Sequence, residues 1–269
     1  MRYVELPPAR ALAPWVECLW ALEAPAPEPG DPVEPVLPDG CTELVFHVGA
    51  PFRRRTLGRS DGATQYRSAV VGQIESALLL EPTGVVGLVG VRLRPEAAGA
   101  FLGVAARELT GTSARLDEVL ASASPAFEDA VYAGDDLVAA LARLEIRLAD
   151  HASTRALPDE RVQRAVALAR AAGGACDVAA LAATAGLSPR QLERRFADEV
   201  GVTPKRFLRL LRVHRAAQLL QKGVRAVDAA LTCGYYDESH LHRDFREVAG
   251  APPARWAASE HAFADRLLG

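Results

Sequence analysis

Arginine presents a planar fork of donors that matches the acceptor edge of guanine in the major groove. In this sequence two arginines sit inside a repeated pattern. Leu192, Arg194, Phe196, Gly201, Pro204 and Phe207 are followed 49 residues later by Leu241, Arg243, Phe245, Gly250, Pro253 and Trp256, with every internal spacing kept. Each copy follows a short apolar segment that ends in a glycine, Gly186 or Gly234, and then a large apolar residue, Leu187 or Tyr235. Helix, glycine turn and second helix is the helix-turn-helix order. A helical bundle with accidental repetition is the bland alternative, and it leaves the matched spacings and capping residues without a cause.

The elements that must hold these arginines are legible locally. Ser188, Pro189 and Gln191 form a start signal with a capping box, Thr203-Pro204 repeats the device, and Asp237 caps the second copy. At about 100° per residue, Leu192, Phe196 and Val200 share one face of the first recognition helix, and Arg190, Glu193, Arg194 and Ala197 share the other. In the second copy Leu241, Phe245 and Val248 turn inward, and Ser239, His242, Arg243 and Arg246 turn outward. A helix over 204–221 joins the copies. It carries Lys205, Arg206, Arg209, Arg212 and Arg215, and would span roughly 27 Å. Such a spacer can set two recognition helices about one DNA turn (~34 Å) apart.

Charge divides the same way. Residues 1–155 carry 14 Lys and Arg against 21 Asp and Glu, whereas residues 156–269 carry 17 against 13. Residues 189–225 hold 10 basic and 3 acidic residues. This pattern fits one module that binds a polyanion and one that avoids it, although a solvated surface would look similar. Apolar residues make up 49% of the chain, which excludes disorder, and no apolar run is long enough to span a membrane. The first residues lack a basic-then-apolar signal, so a cytoplasmic protein is expected. Cys18, Cys41, Cys176 and Cys233 are scattered and read as reduced thiols.

The expected fold class is an α+β N-terminal domain (1–155) with a mostly antiparallel sheet, then an all-α domain (156–269). The all-α domain holds helix-turn-helix motifs at 177–200 and 226–248. Strands are expected at 43–48, 69–72 and 84–93, and a loop at 24–38. Short helices are expected at 96–102 and 116–120, a longer one at 136–151, and a linker at 151–159. Seven helices follow, at 160–172, 178–185, 189–200, 204–221, 226–233, 238–248 and 253–259. Leu137, Leu141, Leu144 and Leu148 form either a dimer seam or a cover for the sheet.

The segment 177–256 resembles the DNA-binding domain of AraC-type transcription regulators, and the run from Gly234 to Trp256 is similar to that family's signature throughout. The resemblance implies a sequence-specific, non-enzymatic regulator of transcription. It places Arg190, Glu193 and Arg194, and Ser239, His242 and Arg243, where family members contact bases. Glu193 departs from the neutral amide often found there. It either accepts from a cytosine amine or bridges to Arg190 or Arg194. The runs 37–46 and 89–95 look like the N-terminal domains of one branch of these regulators, which implies by analogy a sheet-rich domain that binds a small effector or dimerises.

Candidate lining residues for such an effector pocket are Trp15, Trp20, Cys41, Arg92 and Arg94. The alternatives are core packing for the tryptophans, a buried thiol for Cys41 and exposed strand positions for the arginines. Asp39-Gly40 reads as a tight turn, and His47 lacks a second ligand at metal spacing. No cofactor is expected. The partners implied are double-stranded DNA, RNA polymerase, a small effector and a second copy of the chain. Two further readings stay open: an N-terminal domain that only oligomerises, and an enzyme domain fused to a DNA-binding module.

Overall fold

Two strands buried on both faces form the centre of the N-terminal part, β2 (Val16–Ala24) and β9 (Val86–Leu93). The computed structural model describes residues 1–28, 34–56, 62–134 and 136–258. With β1 (Arg2–Leu6), β4 (Glu43–His47), β7 (Ser68–Val71) and β10 (Ser113–Arg115) these strands make a six-stranded antiparallel sheet, ordered β1-β2-β9-β4-β7-β10. A second antiparallel sheet is ordered β3-β8-β5-β6, from β3 (Glu34–Val36), β5 (Arg53–Thr56), β6 (Gly62–Thr64) and β8 (Leu78–Glu81).

The period of two sorts the large sheet's side chains into two cores. Leu19, Ala21, Leu44, Phe46, Val89 and Val91 face the helices, while Cys18, Trp20, Leu22, Val45 and Leu88 face the second sheet. The Trp20 ring lies over Gly90, where a Cβ would sit 2.1 Å from an indole carbon. The helical layer is α1 (Ala98–Leu102), α2 (Leu116–Val119), α3 (Ser124–Tyr132) and α4 (Leu137–Ala152). Asp136 caps α4 by accepting from the Val138 and Ala139 amides. Leu137, Leu141, Leu144 and Leu148 are all buried in the sheet core, so this stripe covers the sheet and is not available as a seam between chains.

Helices fill the rest: α5 (Glu160–Ala171), α6 (Val178–Ala185), α7 (Pro189–Glu199), α8 (Pro204–Gln221), α9 (Ala226–Thr232), α10 (Glu238–Ala249) and α11 (Pro253–Ala257). The expected capping box at Ser188 and Gln191 is formed, and Asp177, Thr203 and Asp237 cap their helices. Gly186 and Gly234 hold the two motif turns at φ of 66° and 74°, a region where a Cβ is strained. The first motif's core joins Val162, Leu181, Leu192 and Phe196 to Phe207 and Leu208 of α8. The second joins Tyr235, Leu241, Phe245 and Trp256 to Leu210, Val213 and Leu220 of the same helix.

The mixed architecture expected from the sequence is observed, with corrections in the N-terminal part. The expected loop at 24–38 contains β3, and residues 29–33 of it lie outside the described residues. Strands β1, β2, β5, β6, β8 and β10, and helix α3, were not anticipated. The helix expected at 96–102 opens as a 3-10 turn, Pro95–Ala97, before α1. His151 belongs to α4, where it packs edge-on against Phe101 and Phe127. Residue 259, at the end of the last expected helix, is outside the described residues.

His47, with 1% of its surface exposed, packs edge-on against Phe52. Burial pulls its imidazole down from 6.5 to about 4, and Gln65 and the Ala50 backbone offset only part of that. The neutral ring is favoured in the folded chain. Its stabilisation is therefore complete above the unfolded value near 6.5 and is lost as pH falls toward 4. A shift of this size corresponds to roughly 3 kcal/mol. Urea titrations of a His47→Leu variant should show a shallower loss of stability between pH 6.5 and 4. An unchanged acid limb would assign the loss to other groups.

Candidate nucleic-acid interface and the cavity between the sheets

The two recognition helices are α7 and α10. On α7 the apolar face is fully buried, and Arg190, Glu193 and Arg194 are exposed. On α10 Ser239, Arg243 and Arg246 are exposed, and His242 is partly so. These four line one shallow concavity with Glu238, whose carboxylate lies 3.3 Å from His242. His240 packs edge-on against Tyr235, and its amide donates to Asp237. Each predicted contact set is thus gathered on one outward face, near the helix N-terminus.

The arginines of α8 do something else. Arg206 reaches Glu75 and Glu247, and Arg209 reaches Glu247 and, at 2.8 Å, Asp244. Arg212 donates to the Gly174 carbonyl at 3.1 Å, lies 3.9 Å from Asp244 and stacks 5.4 Å from the Tyr235 ring centre. Arg215 donates to the Ala172 carbonyl. The positive excess counted for 189–225 is therefore largely spent inside the protein, and the cations offered to a polyanion are chiefly those of the two outward helix faces, with the exposed Lys205 and Lys222. Asp244, 5% exposed, was missed from sequence. The repeat carries a signal for it: the equivalent position in the first copy is Arg195, which pairs with Asp159 at 2.6 Å, so the charge is reversed between copies.

The N-terminal part grips this unit in several places. Arg107 pairs with Asp198 at the end of α7, and the Thr110 hydroxyl donates to the Gly201 carbonyl at 2.6 Å. The Ala77 amide donates to the Val248 carbonyl of α10 at 2.7 Å. Arg170 of α5 pairs with Glu17 at 2.8 Å and donates to the Cys41 sulfur. Gly40, at φ 84°, lets the 37–41 loop approach Phe207 so closely that a Cβ would fall 2.6 Å from its ring. Gln73 donates to the Gly40 carbonyl. The linker is held as well: Arg155 donates to His151, Trp15 to the Ala156 carbonyl, and the Asp159 amide to Glu199.

Between the two sheets lies a cavity of about 80 Å³. Of the five residues suggested as lining, Trp20, Cys41 and Arg92 line it. Trp15 belongs to the helix-side core, and Arg94 donates to the Ala13 carbonyl at 2.7 Å beyond the end of β9. Asp39, Glu43 and Gln65 also line the cavity and were not singled out as a site. Arg92 lies 3.0 Å from Glu43, its cross-strand partner, and 3.4 Å from Asp39. Asp39 also accepts from the Cys41 amide, which is the tight turn read from sequence. Burial pushes the Cys41 thiol well above its usual range, and burial also raises Glu43 against the opposing pull of Arg92.

Asp244→Ala would leave Arg209 and Arg212 facing a vacated, water-poor site, at a cost of ~3–5 kcal/mol. Glu247, whose side chain is 55% exposed, should cost no more than ~1 kcal/mol when cut to alanine. Denaturant midpoints of the two variants test this, and equal values would remove Asp244 from its central role.

Comparison with known proteins bears on both parts. Residues 181–259 match a family model described as "Helix-turn-helix domain", and residues 4–115 match one described as "Domain of unknown function (DUF6597)". Over 56 residues the chain is 39% identical to the uncharacterized HTH-type transcriptional regulator YbfI of Bacillus subtilis, covering 21% of this chain and 20% of that protein. Over 78 residues it is 37% identical to the HTH-type transcriptional regulator GbdR of Pseudomonas aeruginosa, covering 29% and 21%. The chain therefore spans about a fifth of the length of these relatives. A solved AraC-type DNA-binding domain protein from Chromobacterium violaceum is 30% identical, covers 39% of this chain and 94% of its own, and superposes with a TM-score of 0.36. Among the described residues no helix is long and apolar enough to cross a membrane. The C-terminal part of this chain is a helix-turn-helix domain of the AraC/XylS type.

Proposed function

We propose that the protein is a cytoplasmic, sequence-specific DNA-binding regulator of transcription, without enzymatic activity, whose N-terminal domain answers to a small molecule. The observation that carries the DNA reading is the pair of equivalent recognition helices, each with its apolar face buried and its arginines outward. In this reading Arg190, Glu193 and Arg194 meet one major groove, and Ser239, His242, Arg243 and Arg246 meet the next, with the 18-residue α8 as spacer. Arg194→Ala and Arg243→Ala should each cost ~1–3 kcal/mol and relax preference at separate base positions about one turn apart. Selection from random duplexes with each variant tests this. Uniform weakening on every sequence would make both arginines phosphate contacts.

The support for an effector lies in how the cavity is walled. Leu37, Asp39, Cys41, Gly72 and Ile74 line it, and the loops that carry them also dock on the helical domain through Gly40, Glu75 and Ala77. Drug-sized ligands occupy roughly 300–1,000 Å³. Anything larger than a few atoms must displace part of this lining, and these loops are the part of it that also touches the helical domain. Such a ligand binds the loosened arrangement better than the docked one, which is the differential affinity that coupling requires. A fragment beginning at Leu157 should recognise the same operator as the full chain with a different affinity. Full-length Glu75→Ala/Arg107→Ala should move toward the fragment's value. Anisotropy titrations decide it: a fragment that folds but cannot recognise the site, or a double variant that stays at the parent affinity, would refute this division of labour.

A further inference from the structure

Arg92 and Glu43 are cross-strand partners, so the register of β9 against β4 fixes them as a pair. Asp39 arrives from the neighbouring loop as a second carboxylate on the same guanidinium. Burial and the neighbouring Asp39 hold the Glu43 carboxyl above its usual range despite Arg92, and ionising both acids leaves this wall with one more negative charge than positive. Cys41 adds none, because burial keeps its thiol protonated, and Gln65 is neutral. An anion would meet two carboxylates for one guanidinium. A cation would supply the missing counter-charge, and a buried charge is tolerated only with such a partner. The remaining walls include Trp20, Val45, Phe52 and Leu88, which suit an apolar part of the ligand.

We propose that this cavity takes a small organic cation, with its ammonium group against Asp39 and Glu43 and its apolar part against Trp20, Phe52 and Leu88. The inference rests on the effector reading of the cavity and names the ligand class. Size narrows it further. A cavity of about 150 Å³ holds benzene, so the 80 Å³ here holds about three non-hydrogen atoms, and a larger amine enters only as the docked loops move.

Isobutylammonium, isobutanol and isovalerate share a branched apolar part and differ in charge. Each would be titrated into the full-length protein by saturation-transfer NMR and calorimetry. Isobutylammonium should bind at least tenfold more tightly than either comparator. Asp39→Asn keeps the acceptor for the Cys41 amide and should erase that preference while leaving isobutanol binding unchanged. Glu43→Gln provides the same test should Asp39→Asn fail to fold. Isobutanol or isovalerate binding as tightly as the amine would overturn the cationic class and leave the effector reading standing. Absence of binding by all three would overturn both.

Discussion

A buried carboxylate needs a cation, and Asp244 obtains two from one helix. Arg209 and Arg212 reach it from α8, and Arg212 also reaches the Gly174 carbonyl beside the first motif. Ionic contacts out of water are costly unless well paired, and they fix geometry more than they add stability. Here they fix the second recognition helix against the helix that also completes the first motif's core. The arrangement explains why α8 combines arginines with leucines. Its apolar face is divided between two cores, and its charged face is consumed by Glu75, Asp244, Glu247 and two backbone carbonyls.

How far the sequence foretold the structure depends on how each element is stabilised. In the helical part the information is local: Ser188 with Gln191, Thr203, Asp237 and the turn glycines mark boundaries that the structure reproduces to within a residue or two. The N-terminal strands carry no such marks. β2 is buried on both faces, so it lacks the apolar–polar alternation that identifies a strand, and β5 reads Arg53-Arg54-Arg55-Thr56. The cavity was half legible for a related reason. Arg92 and Arg94 share parity, but β9 ends at Leu93 and the backbone turns away before Arg94. Trp15 precedes β2 and joins the helix-side core, whereas Trp20 within the strand faces the second sheet. Asp244 is marked only by its charge reversal against Arg195, and its partners come from a helix whose arginines resemble a polyanion-binding stripe.

The N-terminal part is more than an appendage. Its 37–41 and 72–77 loops are at once the mouth of the cavity and a clamp on α8 and α10, while Arg107 and Thr110 hold the end of α7. Strand residues Trp20, Val45, Leu80, Leu88 and Arg92 supply much of the remaining lining, together with Phe52 and Gln65. In the proposed reading, a ligand that displaces the 37–41 and 72–77 loops is felt at α8 and α10, because loops yield more readily than packed sheets do.

The division of α8 between two cores also makes its length a matter of angle. Phe207 and Leu208 belong to the first core, and Leu210, Val213 and Leu220 to the second. Inserting one residue between these sets would translate the second motif by only about 1.5 Å but rotate it by about 100° around the helix axis. A DNA operator changes phase by roughly 34–36° per base pair, so no whole-base-pair spacing change restores both the angle and the rise. If the two motifs read adjacent grooves as proposed, only particular lengths of the joining helix are compatible with that task. That helix acts as a protractor set between the two motifs.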